Sequence, residues 1–124
     1  MKFKKLIATL LLGFSVLLLA NDMVAAATWY TSTITLPRNG FWYSVSRKAT
    51  ANSQKTKVTK PKYDVVSHIA NSDKSRVTSN QTHKKNQTDT RTHKSNMKGT
   101  TIKAAFRSSI INQKTNRVVL SWRP

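Results

Sequence analysis

The stretch Thr28-Trp29-Tyr30-Thr31-Ser32-Thr33-Ile34-Thr35-Leu36, followed by Pro37-Arg38-Asn39-Gly40 and Phe41-Trp42-Tyr43-Ser44-Val45-Ser46-Arg47, decides the fold class. Its side chains alternate with period two. Tyr30, Ser32, Ile34 and Leu36 share one face, and Trp29, Thr31, Thr33 and Thr35 the other. Such alternation, in β-branched and aromatic residues, marks half-buried strands. Proline fixes φ, and Asn-Gly tolerates positive φ, so Pro37–Gly40 is a turn. The two runs together predict a β-hairpin with a four-residue connection. Phe41, Tyr43 and Val45 then share a face, which turns Trp29 and Trp42 away from the faces of Ile34 and Phe41.

The same period recurs downstream. Lys55–Lys60 predicts a polar edge strand closed by Pro61, its lysines discouraging edge-to-edge pairing. Tyr63–Ala70 places Tyr63, Val65, Ser67 and Ile69 on one face, leaving His68 at the surface or a strand edge. In Thr100–Arg107, Ile102, Ala104 and Phe106 oppose Thr101, Lys103, Ala105 and Arg107. After Ile110-Ile111 and a turn at Asn112–Asn116, Arg117–Arg123 points Val118, Leu120 and Trp122 one way. Residues 71–96 carry Val77 as their one large apolar side chain, and they repeat Asn-Gln-Thr at 80 and 86 and Thr-His-Lys at 82 and 92. So polar a segment predicts a loop or a solvent-facing hairpin, with short strands near Arg76–Ser79 and Asp89–His93. The expected fold is all-β: a small antiparallel β-sandwich, or small barrel, of about 6–8 strands. Its thin core would rest on Tyr30, Ile34, Phe41, Tyr43, Val65, Ile69, Phe106, Leu120 and Trp122.

Upstream of this domain, Lys2, Lys4 and Lys5 precede the apolar run Leu6–Ala20, and small residues follow at Ala25-Ala26-Ala27. This is the pattern of a cleaved secretory signal peptide over residues 1–27, with Ala25 and Ala27 at the cleavage site. Spanning a bilayer core takes about 20 apolar residues, and Asn21 and Asp22 end the run before that. No cysteine is available for a lipid anchor, and no second apolar span is expected in the mature protein. Leu36-Pro37-Arg38-Asn39-Gly40 resembles the Leu-Pro-x-Thr-Gly cell-wall sorting signal, but Asn39 replaces the threonine. The whole domain also follows it, so it is taken as a turn. Residues 28–124 then form one basic β-domain.

Without Lys2, Lys4, Lys5 and Asp22, the chain's 22 basic and 4 acidic residues reduce to a mature net charge of about +16. Self-repulsion of that size disfavours the compact state, so the charge calls for a polyanionic partner. A cysteine-free secreted domain also suits a bacterial export, particularly from a Gram-positive cell.

Three scattered aspartates and no glutamate leave paired-carboxylate mechanisms almost no candidates, so no enzymatic activity, catalytic residue or cofactor is expected. His83 and His93 are each followed by Lys, and cationic neighbours oppose metal binding, so no metal site is expected either. Arg38, Arg47, Lys48, Lys55, Lys57, Lys60, Lys62, Lys84, Lys85 and Lys94 are the expected polyanion contacts, with Trp29, Trp42 and Tyr43 as an aromatic surface beside them. The predominance of lysine suits delocalised attraction to phosphate-rich polymers over base-specific reading.

The expected function is a secreted, strongly cationic, non-enzymatic protein that binds anionic cell-envelope polymers or an anionic membrane surface. It would be extracellular, retained electrostatically at the cell surface. The alternatives are a bacteriocin-like antimicrobial effector and non-specific extracellular nucleic-acid binding.

Overall fold

A computed structural model describes residues 28–109 and 114–124. The expected signal segment 1–27 and the Ile110-Ile111 pair lie outside the described residues. The described residues form nine strands: β1 (Tyr30–Leu36), β2 (Trp42–Tyr43), β3 (Arg47–Lys48), β4 (Ser53–Thr59), β5 (Val65–Asn71), β6 (Gln81–His83), β7 (Asp89–Lys94), β8 (Thr101–Ser108) and β9 (Asn116–Arg123). They build two antiparallel sheets in a sandwich-like arrangement. The first has the order β1-β9-β4-β7; the second has β2-β8-β5-β6, with β3 also paired to β8. The count exceeds the expected six to eight because β2, β3 and β6 are only two or three residues long. The all-β expectation holds, and no helix occurs among the described residues.

The predicted N-terminal hairpin does not form. β1 pairs along its length with β9, from Tyr30↔Trp122 to Leu36↔Asn116, while β2 pairs with β8. The Pro37–Gly40 turn, with Gly40 at φ 77°, therefore carries the chain from one sheet to the other. The two most apolar strands explain this. β8 and β9 each bury Ile, Phe, Leu or Trp side chains and take a neighbour on both sides, which uses up β2 and β1. β4 likewise lies between β9 and β7, so it is an interior strand and not the predicted edge. Its inward residues Gln54, Thr56 and Val58 are fully buried, and its lysines point outward.

The core between the sheets gathers Leu36, Val58, Val65, Ile69, Ile102, Phe106, Val118, Leu120 and Trp122, with Tyr30, Ile34, Trp42 and Met97 packed at its margin. Each fully buried large side chain contributes about 1.5–3 kcal/mol through removal of apolar surface from water. Phe41 and Tyr43, expected in this core, lie instead on the outer side of the second sheet. Tyr43 is registered with Ala105 there, while its neighbour Trp42 faces inward opposite Phe106. The structure thus reverses the assignment of Trp42 as a surface aromatic. Just beyond, Ser44 Oγ accepts the Ala104 N–H at 2.9 Å, a side chain in place of a ladder carbonyl, and the strand ends after Tyr43. Val45, beyond the break, is 67% exposed.

The polar segment 71–96 is ordered into the sandwich. The expected strand at Asp89–His93 is present as β7, whereas Arg76–Ser79 contributes only the bridge Ala70↔Arg76. β6 edges the second sheet and β7 the first. Gln81 Nε2 donates to the Thr92 carbonyl at 2.8 Å, and Arg91 Nε to the Thr82 carbonyl at 2.9 Å. These bonds tie the sheets together along one side.

Candidate functional site

Residues directly opposite one another in an antiparallel pair share a face, so the register places the expected cations. On the first sheet's outer face, Lys55 lies between Arg123 of β9 and Thr92 of β7, and Lys57 between Ser121 and Thr90. Lys94 continues this face, opposite Ser53. Across β9, Thr31, Thr33 and Thr35 of β1 are registered with Ser121, Val119 and Arg117. The result is an open surface of hydroxyls and cations without an acidic side chain. Along β4, Lys55 and Lys57 are two residues apart, about 6.8 Å by strand rise. Arg117 and Arg123 belong here although they were not among the expected polyanion contacts. Their alternation with Val118, Leu120 and Trp122 was the available signal.

A second group collects at one end of the sandwich. Asn86 N–H donates to the Pro61 carbonyl at 2.8 Å, Lys85 N–H to Asp64 Oδ1 at 2.7 Å, and Lys84 N–H to Asp89 Oδ2 at 2.9 Å. These bonds bring Lys60, Lys62, Lys84 and Lys85 into one loop cluster. The Arg38 turn leaves β1 at this same end, where Leu36 meets Asn116 and the Asn116 side-chain amide donates to the Tyr63 carbonyl at 3.2 Å.

Arg47 and Lys48 lie apart, at the opposite end. There Thr28, Tyr30, Ser46, Arg47, Lys48, Thr50 and Pro124 line a cleft of about 380 Å³. The Arg47 guanidinium carbon stacks 3.4 Å from the Tyr30 ring centroid. Trp29, 37% exposed, lies nearby under Arg123, whose guanidinium is 5.8 Å from the ring. Tyr43 is half-buried on the second sheet's outer face, with Lys74 Nζ 5.2 Å from its ring centroid. Trp29 and Tyr43 are therefore separate contacts and not one aromatic platform.

The carboxylates are already committed. Asp64 and Asp89 accept the backbone bonds given above, and Asp73 accepts from Ser75 N–H at 2.9 Å, which lowers its pKa. Among the described residues the one ion pair is Arg91–Asp89 at 3.8 Å.

All three histidines depart from expectation: each is buried. His68 is 3% exposed on the outer side of the second sheet, its Nδ1 at 3.0 Å from Asn80 Oδ1 and its ring edge-on to Phe41 at 4.5 Å. Burial, with Arg76 and Arg107 nearby, lowers its pKa, and its Nε2 has no hydrogen-bond partner. His83 and His93 enter the core because the Thr-His-Lys repeats obey the strand period, with histidine inward and its neighbours outward.

There they meet the polar in-faces of β4 and β5. His93 Nε2 is 2.7 Å from Thr56 Oγ, Thr56 Oγ 3.0 Å from Ser67 Oγ, and Ser67 Oγ 2.7 Å from His83 Nε2. His83 Nδ1 is 3.2 Å from the Asp89 carbonyl, and Thr78 Oγ is 3.4 Å from His93 Nδ1. One direction of hydrogens, assigned from this network, satisfies every member. Thr78 O–H donates to His93 Nδ1, His93 Nε2–H to Thr56, Thr56 to Ser67, Ser67 to His83 Nε2, and His83 Nδ1–H to the Asp89 carbonyl. Thr78 Oγ also accepts the Ile69 N–H at 2.9 Å.

Both rings are neutral in this chain. Burial lowers the pKa of each to about 4; Arg91 adds to the effect at His83, and a proton on His83 or His68 adds to it at His93. Ser67 is completely buried, so its closeness to His83 gives no substrate access. No group of three or more metal-ligating side chains occurs among the described residues, and no helix there is long and apolar enough to cross a membrane. Comparison with protein-family models, curated proteins and solved structures returns no match.

Proposed function

We propose that this protein is a secreted, non-enzymatic binder of anionic cell-envelope polymers, engaging them through the outer face of the first sheet and the lysine-rich loop end. The observation that carries this reading is the commitment of Asp64, Asp73 and Asp89 to local hydrogen bonds, which leaves Lys55, Lys57, Lys94, Arg117 and Arg123 without carboxylate partners among the described residues on one polar face. A flexible phosphodiester chain suits that face. Its charges meet ammonium and guanidinium groups at strand spacing, and its hydroxyls meet the threonine and serine rows.

The test is a salt series of binding to isolated cell walls, anionic liposomes and DNA. Four cations engaged on a flexible polyanion give a log–log slope near −2.8, so retention on walls should fall about 50-fold between 50 and 200 mM salt. Salt-independent retention would sink the proposal. Equal affinity for all three surfaces would favour non-specific polyanion binding over an envelope ligand.

A further inference from the structure

Trp29, Val45 and Val119 are the large apolar side chains exposed among the described residues, and they are not scattered. Trp29 directly precedes β1, Val119 is registered with Thr33 of β1, and Val45 lies between β2 and β3. The stacking of Arg47 on Tyr30 sets β3 beneath β1, so all three border one side of the sandwich. The element they border is β1. Among the described residues its second edge pairs with nothing.

A free edge presents a row of unpaired N–H and C=O groups, which proteins guard with charge, proline, bulges or brevity. β7 carries Asp89, Arg91 and Lys94, while β2, β3 and β6 are only two or three residues long. β1 has none of these devices. Its seven residues, Tyr-Thr-Ser-Thr-Ile-Thr-Leu, pair with β9 without interruption and include no charge, proline or glycine. In a chain of formal net charge +18, such an edge is where two copies can approach.

We propose that β1 pairs antiparallel with β1 of a second copy, centred on Thr33, joining two first sheets into one sheet of eight strands. The strand is self-complementary in this register. Thr33 meets Thr33 and Thr31 meets Thr35 on the outer face, where cross-strand threonines favour one another. Ser32 meets Ile34, half-buried in the single copy, on the inner face. The contact is two-fold and uses the unguarded edge of each copy, so assembly stops at two.

Charge permits it. Arg117 and Arg123 lie on β9, and the two β9 strands would be three strand spacings apart, about 14 Å. That exceeds the screening length of about 8 Å at physiological salt. The Arg38 turn of one copy comes beside the Arg47 end of the other, and this residual repulsion is what salt relieves. An edge about 24 Å long on two layers about 10 Å apart buries less than the ~800 Å² per partner of a tight complex, so dimer and monomer should exchange. The pairing does not depend on the envelope-binding reading; where both hold, the cations of two outer faces share one continuous surface.

The chain has no cysteine, so single substitutions report the register. Facing residues lie about 4.5–5.5 Å apart between Cα atoms, within reach of a disulfide. Thr33→Cys should oxidise to a covalent dimer. Thr31→Cys, whose two copies would be about 14 Å apart, should do so at least tenfold more slowly. Sedimentation of the natural sequence should show a monomer–dimer equilibrium that tightens several-fold as salt rises from about 50 to 500 mM, the reverse of polyanion retention. Thr33→Lys, at an exposed position, should be folded and monomeric, because it sets two ammonium groups directly opposite. A protein monomeric at every concentration and salt, equal oxidation of the two cysteine variants, or a Thr33→Lys protein that still dimerises would each overturn the pairing. Protection of β1 amides from exchange only when cell walls are added would assign the edge to an envelope partner and overturn it too. A monomer with salt-sensitive wall retention counts against the pairing alone, and a dimer without wall retention against the polymer reading alone.

Discussion

Acidification should unfold this protein through its core and not through its surface. His83 and His93 are neutral in the folded chain with pKa values of about 4, against 6.5 in the unfolded chain. Between those values the unfolded state binds more protons, so stability rises with pH across the window. The contribution is complete above about 6.5 and is lost progressively as pH falls towards 4. Each histidine accounts for about 3 kcal/mol, at 1.36 kcal/mol for each unit of pKa difference. The pair therefore approaches the whole stability of a typical small domain, about 5–15 kcal/mol.

The hydrogen-bond chain gives the structural reason. A second proton on His93 Nδ1 opposes the hydrogen of Thr78, and one on His83 Nε2 opposes that of Ser67. The assay is urea unfolding followed by tryptophan fluorescence, since Trp122 is buried, at intervals from pH 7.5 to 4.5. The midpoint should be flat above pH 7 and then fall steeply, and His93→Gln should roughly halve the pH dependence. A stability change under 1 kcal/mol between pH 7.5 and 4.5 would refute the reasoning.

Three further outcomes are expected. Thr56→Val should cost about 1–3 kcal/mol at pH 7.5, measured by urea denaturation, because it leaves His93 Nε2 and Ser67 short of buried partners. Phe106→Ala should cost about 3–5 kcal/mol by the same measurement, since this ring is fully buried at the centre of β8. Asn116→Ala should lower the thermal midpoint by a few degrees, reflecting about 1 kcal/mol from the lost bond to the Tyr63 carbonyl.

The strands themselves were largely legible. Alternation located β1, β5, β7, β8 and β9 and named the inward residues of β5, β8 and β9, because period two is a local property of the chain. Pairing is not local. Nothing within Tyr30–Leu36 states that its partner is Asn116–Arg123, and a short turn before another aromatic run imitates a hairpin. β4 looked like an edge because its lysines are conspicuous, yet the same alternation buries Gln54, Thr56 and Val58. The histidines were misplaced by composition. A segment almost devoid of large apolar side chains was expected to stay solvated, but its two histidines find polar partners inside the core. The clue was available in β4 and β5, whose inward faces carry Thr56 and Ser67 and so require buried hydrogen-bonding neighbours.

For the site, lysine positions were readable, whereas their grouping depended on loop contacts between Pro61–Asp64 and Lys84–Asn86. Tyr30 was read only as core, and its stacking with Arg47 across the two sheets has no sequence signature.

The β1–β9 pairing also governs the order in which the molecule can assemble. Among the described residues β1 has no other neighbour in its sheet, and its partner begins at Asn116, 80 residues beyond Leu36. β4 likewise waits for β9 on one side and for β7 on the other. A chain emerging N-terminus first cannot complete the order β1-β9-β4-β7 until β9 is free. Contacts this distant slow folding relative to local ones. The first sheet therefore closes only after β9 has emerged.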